Sequence, residues 1–176
     1  LVGASEKLAL ASAGKVRLVR VRDEGQGYPS LDVANVRYRA VPFGPELEPF
    51  LELLVRLSER PAEAGLPTLA PARLRALIAP TCPNCPHTVT ACNRVAVDHP
   101  QVHLEVVDVQ YYRGEAGRVT SVPAVVVDGA RTLVGSLTER ELVAILEERD
   151  TEGYLQRAIS SMLETGRVSE AVPLLA

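Results

Sequence analysis

Two cysteines three positions apart, Cys82 and Cys85 in the run Cys82-Pro83-Asn84-Cys85-Pro86, are the residues of this chain best suited to chemistry. A free thiol has a pKa of about 8.5, and a helix N-terminus commonly lowers it to roughly 3.5–7.5, because unpaired amides and the helix dipole favour the thiolate. Such a pair at a strand-to-helix junction suits thiol–disulfide exchange, in which one sulfur attacks and the other resolves the mixed disulfide. Cys82 is the expected nucleophile. Cys85, one turn into the helix and more buried, is the expected resolving thiol. Pro83 and Asn84, between the sulfurs, are expected to set the reduction potential. Pro86 reads two ways, as a helix-start proline or as a residue that leaves the Cys82 carbonyl without an intrahelical bond.

The same spacing supplies half of many zinc sites, but no second CxxC or CxxH exists here. Cys92 is seven residues beyond Cys85, about 10 Å along a helix that rises ~1.5 Å per residue. That is too far to share a metal with Cys85 or to bridge to it, so Cys92 reads as a small core residue. His87, His99 and His103 are ligands by type only and are expected on solvated faces or strand edges. Glu139, Glu141, Glu147 and Glu148 read as a solvated helix surface. No metal and no bound cofactor is expected.

The elements that must hold the cysteines follow from pattern. Leu74–Ala79 is a short apolar run stopped by Pro80, suited to a buried strand. A helix should follow, with Pro83 near its first position, Val89, Cys92, Val95 and Ala96 as its buried stripe, and an end before Pro100. Val102–Val109 is β-branched and reads as a strand, and the polar stretch to Thr120 has room for one short helix. Pro123–Val127 and Thr132–Val134 flank Asp128-Gly129, a strong hairpin signal. Thr138 and Glu141 have capping-box spacing and open a helix over 139–148 with Leu142, Ile145 and Leu146 inward.

The first half resembles the end of this unit. Val16–Val21 alternates like a strand, β runs follow Tyr28-Pro29 and cover Val36–Val41, and Glu46–Ser58 places Leu47, Phe50, Leu51, Leu54 and Leu57 on one helical face. A short helix is expected over Ala4–Ala13. The expected organisation is an incomplete first unit at 1–60 without a CxxC, a proline- and glycine-rich linker at 61–72, a redox unit at 73–149, and a helical extension at 150–176. That extension carries Tyr154, Leu155, Ala158, Ile159, Met162 and Leu163 at helical spacing and a shorter helix near Ser169–Leu175, a face for packing or for a homodimer.

With 47% hydrophobic residues in 176 and a net charge of −3, the chain has material for real cores and no electrostatic footprint for nucleic acid or an anionic membrane. No apolar run reaches the roughly 18–20 residues a spanning helix needs. Three cysteines do not make a secreted disulfide scaffold, and the cytoplasm is the expected location.

Taken with Ser121-Val122-Pro123-Ala124-Val125, the cysteine motif resembles the thioredoxin and glutaredoxin superfamily. The closer likeness is to its tandem members, the N-terminal domain of the alkyl hydroperoxide reductase flavoprotein subunit and the glutaredoxin-like protein disulfide oxidoreductases. The resemblance covers 73–148 well and 1–60 weakly. It implies an α/β thioredoxin-like fold, in two fused copies, with a cis-proline at Pro123 and Val122 as the substrate-facing residue. Ala76 stands where thioredoxins keep a buried aspartate, so a proton acceptor of that kind is not expected there. The chain holds no flavin- or nicotinamide-binding glycine fingerprint, so the resemblance implies an external electron donor, a flavoprotein or a small thiol. The implied substrate is a protein disulfide, such as a peroxidase's. The competing reading is a non-catalytic adaptor that presents the terminal helices to a partner.

Overall fold

The computed structural model describes residues 30–59, 69–117 and 119–148. The redox unit opens with β3 (Ala72–Ile78), whose burial alternates and then becomes continuous toward Ala79. Helix α2 (Cys85–Asp98) follows, then β4 (Val102–Asp108), a 3-10 turn at Arg113–Ala116, the hairpin β5 (Ala124–Val127) and β6 (Arg131–Val134), and α3 (Glu139–Glu147). The connection Asp128-Gly129-Ala130 turns on Asp128 and Gly129, which both take positive φ, +48° and +73°, while the Ala130 amide donates to the Val127 carbonyl at 3.0 Å; Asp and Gly are residues that tolerate this left-handed backbone. Thr138 and Glu141 make the capping box at the head of α3.

With β1 (Leu31–Val33) and β2 (Val36–Arg39), the strands among the described residues form one sheet in the order β1-β2-β4-β3-β5-β6. β1 and β2 are an antiparallel hairpin. β2 runs parallel to β4, β4 parallel to β3, and β5 antiparallel to β3. A 3-10 turn at Gly44–Glu46 leads into α1 (Leu47–Glu59). Thus the hairpin and helix of the first half are built into the sheet of the redox unit. Asn35, in the β1–β2 turn, donates to the carbonyls of Ala96 at 2.7 Å and Val102 at 2.5 Å and so pins that hairpin to the α2–β4 junction.

The three α-helices among the described residues pack on one face, with α2 in contact with both α1 and α3. Val36, Tyr38, Leu74, Ile78 and Val106 from the sheet meet Phe50 and Leu53 of α1, Val89, Cys92 and Val95 of α2, and Leu142 and Leu146 of α3. Each fully buried leucine contributes about 1.5–3 kcal/mol relative to exposure. The opposite face is covered by the 109–122 segment over a smaller cluster of Leu77, Val107, Tyr112 and Ala124.

Two expectations need correction. Helix α2 starts at Cys85, not at Pro83: Asn84 is the N-cap and Pro86 takes an early helical position, where its missing N–H is one of the unpaired ones anyway. His99 is buried, only 4% exposed, at the C-cap of α2, while His87 and His103 are exposed. The expected helix at Ala4–Ala13, the strand at Val16–Val21, most of the linker, and the stripe and short helix beyond Asp150 lie outside the described residues. The linker's end is already structured, since Leu69 is buried and Ala72 opens β3.

Candidate active site

The strand arrangement brings the loops after β2, β3 and β4 to one end of the sheet. Because β5 runs the opposite way, the chain entering it reaches that end as well. Leu77 pairs with Ala124, so Val122 and Pro123 lie beside the turn that follows β3. The Cys82 amide donates to the Ala79 carbonyl at 3.0 Å, and the Cys85 amide donates to the Cys82 carbonyl at 3.4 Å. The Cys82 carbonyl is therefore engaged in the turn, which favours Pro86 as a helix-start proline.

Cys82 and Cys85 are joined as a disulfide, with their Cα atoms 5.5 Å apart. Cys82 is half-buried and Cys85 completely buried, while Pro83 and Asn84 between them are exposed. The Val122–Pro123 peptide is cis. Cys82 Sγ lies 3.6 Å from the Val122 carbonyl oxygen. Cys85 is the first residue of α2 and Cys82 stands three residues before it, at the helix end whose unpaired amides favour a thiolate when the pair is reduced.

Cys92 is wholly buried and free, and burial pushes its thiol up to about 12. That removes it from thiolate chemistry near neutral pH. Among the described residues no group of three or more histidine, cysteine or acidic side chains is arranged to hold a metal ion. No helix among them is long and apolar enough to cross a membrane.

One residue of this end escapes sequence reasoning. Glu46, 4% exposed, sits in the 3-10 turn that packs on α2, and neither of its carboxylate oxygens has a hydrogen-bond partner among the described residues. Burial, and then the charge of Asp108 at the end of β4, raise its carboxyl to about 7. Asp108 Oδ1 meanwhile accepts from the amides of Gln110 and Tyr111, and Gln110 donates to Thr81 Oγ1 at 3.1 Å, next to Cys82. Ala76, which stands where an acid is lacking, is fully buried. Two buried acids thus stand at this end of the sheet, Asp108 at the end of β4 and Glu46 from the turn that leads into α1. In the sequence Glu46 looks like an ordinary helix-start glutamate. The one signal available is the alanine at position 76, which leaves no buried acid on β3.

Residues 74–147 match the model of a family described as a thioredoxin domain. The F subunit of the alkyl hydroperoxide reductase of Staphylococcus epidermidis is 23% identical over 119 residues, covering 64% of this chain and 24% of that protein. This chain therefore spans about a quarter of the length of the curated relatives it matches. Among solved structures, the NTD_N/C domain of alkyl hydroperoxide reductase from Enterococcus faecalis is 28% identical with a TM-score of 0.54, over 65% of this chain and 59% of that one. A protein disulfide oxidoreductase from Aeropyrum pernix is 25% identical with a TM-score of 0.56, over 68% and 57%. With a match running from β3 to α3 and the cysteine pair, the cis-proline and the sheet order in this arrangement, residues 74–147 form a thioredoxin-like domain.

Proposed function

We propose that this chain is a thiol–disulfide oxidoreductase that relays electron pairs through Cys82 and Cys85 to a protein disulfide. The observation that carries the reading is the asymmetric pair at the head of α2, an accessible Cys82 bonded to a buried Cys85 beside the Val122 carbonyl. In the reduced protein the Cys82 thiolate attacks one sulfur of the partner's disulfide, forming a mixed disulfide and releasing the partner's other sulfur as a thiolate. Cys85 then gives up its proton and attacks Cys82 Sγ. The mixed disulfide breaks, the second partner thiolate leaves and takes up a proton, and the Cys82–Cys85 disulfide remains. Two electrons have passed to the partner.

Val122 offers backbone groups to the incoming peptide, Pro123 fixes their direction, and Pro83, Asn84 and Pro86 shape the turn around the sulfurs. We read Glu46, buried in the turn that packs on α2, as the acceptor for the proton that Cys85 gives up. A carboxyl held near pH 7 changes protonation at little cost near neutrality, as acid–base work requires.

The return of electrons needs an external donor, a flavoprotein or a small thiol. The names of the relatives favour a peroxidase as acceptor. The cytoplasm suits a pair that must be kept reduced. We read β1, β2 and α1 as the closing hairpin and helix of a first thioredoxin-like unit at 1–60, followed by the linker at 61–72, the redox domain at 73–149 and an extension at 150–176 that serves as a homodimer face.

The deciding experiment is trapping. Cys85→Ser should accumulate partner proteins as mixed disulfides on Cys82, released by dithiothreitol and absent when Cys82 is also changed to serine. No adducts, or adducts that survive the Cys82→Ser change, would overturn the reading.

A further inference from the structure

The face of the sheet away from the helices carries four charged side chains joined to one another. Arg39 on β2 contacts Glu105 on β4 at 3.3 Å and Glu115 of the 3-10 turn at 2.8 Å. Arg75 on β3 contacts Glu105 at 2.9 Å and Glu115 at 2.5 Å. Register explains how they meet. Arg75 and Glu105 are direct neighbours across β3 and β4, and Arg39 lies opposite Val107 one pleat further on, so all three point to the same face. Glu115 closes the square from the segment above. The four side chains keep only 14–33% of their exposure, and Arg39 also lies over the Tyr112 ring, 4.5 Å from its centroid. A closed, half-buried network of this kind is stronger than an isolated surface pair.

What it fastens is the segment between β4 and Pro123. Tyr112 sits in the small cluster with Leu77, Val107 and Ala124, and Val119 and Val122 pack against the same cluster. Val122 packs against the main core too, and its carbonyl stands 3.6 Å from Cys82 Sγ. One end of the segment is tied beneath the dithiol by Asp108 and by the Gln110–Thr81 hydrogen bond. Its middle is tied to the sheet by Glu115, which meets both arginines.

We propose that the Arg39–Glu115–Arg75–Glu105 square, with Tyr112 beneath Arg39, is a positioning device that holds the 109–122 segment down and thereby sets where Val122 presents its backbone to a peptide carrying a disulfide. The proposal rests on the dithiol reading given above. Its residues touch neither sulfur nor peptide and act through the loop they fasten. A substrate that engages the sulfurs without a backbone to pair has no use for the device, and that separates it from a general stabilising role.

The test uses the full chain, reduced, with two substrates: an extended peptide closed by a disulfide, and cystamine, which has no peptide backbone. Glu115→Gln keeps the shape and removes the charge. It should raise KM for the peptide about three- to tenfold with kcat little changed, and leave the cystamine rate and the potential of the dithiol as in the wild type. An unchanged peptide KM in a folded variant, or an equal loss with cystamine, would overturn the proposal. Should that variant not fold, Arg75→Lys, which keeps the charge and loses the two-armed contact, is read the same way. Amide hydrogen exchange at Val119 to Val122 gives an independent arm. It should quicken in either variant, and unchanged exchange there counts against the clamp even if the wild-type chain proves inactive and the dithiol reading itself fails.

Discussion

Cys82 Sγ and the carbonyl oxygen of Val122 lie 3.6 Å apart although 40 positions separate the two residues in sequence. The contact follows from the antiparallel entry of β5 against β3, which returns the chain to the end of the sheet where β3 releases Cys82. Cys82 keeps a partly exposed side at this end, with Cys85 behind it in the core.

That ordering in depth predicts an ordering in reactivity. With the chain reduced, iodoacetamide at neutral pH should modify Cys82 first and Cys85 far more slowly. Cys92, fully buried with its thiol pushed up to about 12, should stay unmodified until the protein unfolds. Peptide mapping after timed quenching reads the order directly. Labelling of Cys92 at the pace of Cys82 in folded protein would contradict the packing of α2.

How much of this is legible without the structure depends on the range of each signal. The dithiol, the Asp128-Gly129 hairpin and the Thr138–Glu141 cap are written within a few residues of themselves and came out in place. The start of α2 lies two residues beyond the Pro83 that the sequence points to, because Pro83 and Pro86 can each open a helix and local propensity does not choose between them. The Arg39, Arg75, Glu105 and Glu115 square left no trace in pattern, since its members come from three strands and a turn that only the sheet order brings together. Glu46 was hidden for the same reason: nothing in Gly44-Pro45-Glu46 says that the turn will be pressed against α2. His99 escapes for a related reason: the residue after a helix is usually wet, and here it is buried, with its backbone amide and carbonyl both bonded in the α2–β4 connection.

The cap on α3 is open to a direct test. Thr138 Oγ1 accepts from the Glu141 amide at 3.3 Å while the Glu141 carboxylate accepts from the Thr138 amide at 2.8 Å. The helix thus begun delivers Leu142 and Leu146 to the core. Thr138→Ala should cost about 1 kcal/mol of stability, lowering the urea midpoint with the slope of the transition unchanged. Thr138→Ser should recover most of the loss. A Thr138→Ala protein as stable as the wild type would mean that packing alone holds the first turn of α3.

Glu46 predicts a conflict between stability and exchange. Burial, then Asp108, raise its carboxyl from an ordinary 4.5 to about 7 in the folded chain. Between those values the folded protein binds the proton more tightly than the unfolded chain does, so unfolding releases it, and stability must fall as pH rises through that window. The contribution is complete below about pH 4.5 and lost above about pH 7, and it amounts to roughly 3 kcal/mol at most, taking about 1.36 kcal/mol per unit of pKa shift. Glu46→Gln removes the titrating group. The variant should show a flatter stability profile from pH 5 to 7 and exceed the wild type at pH 8, as followed by urea unfolding at each pH. In the same protein the role proposed for Glu46 as proton acceptor predicts that the mixed disulfide on Cys82 persists longer. A variant that resolves the mixed disulfide at the wild-type rate while gaining stability at pH 8 would leave Glu46 as a buried acid with no part in the exchange. One that loses stability at every pH would show that the carboxyl is satisfied by contacts other than those described.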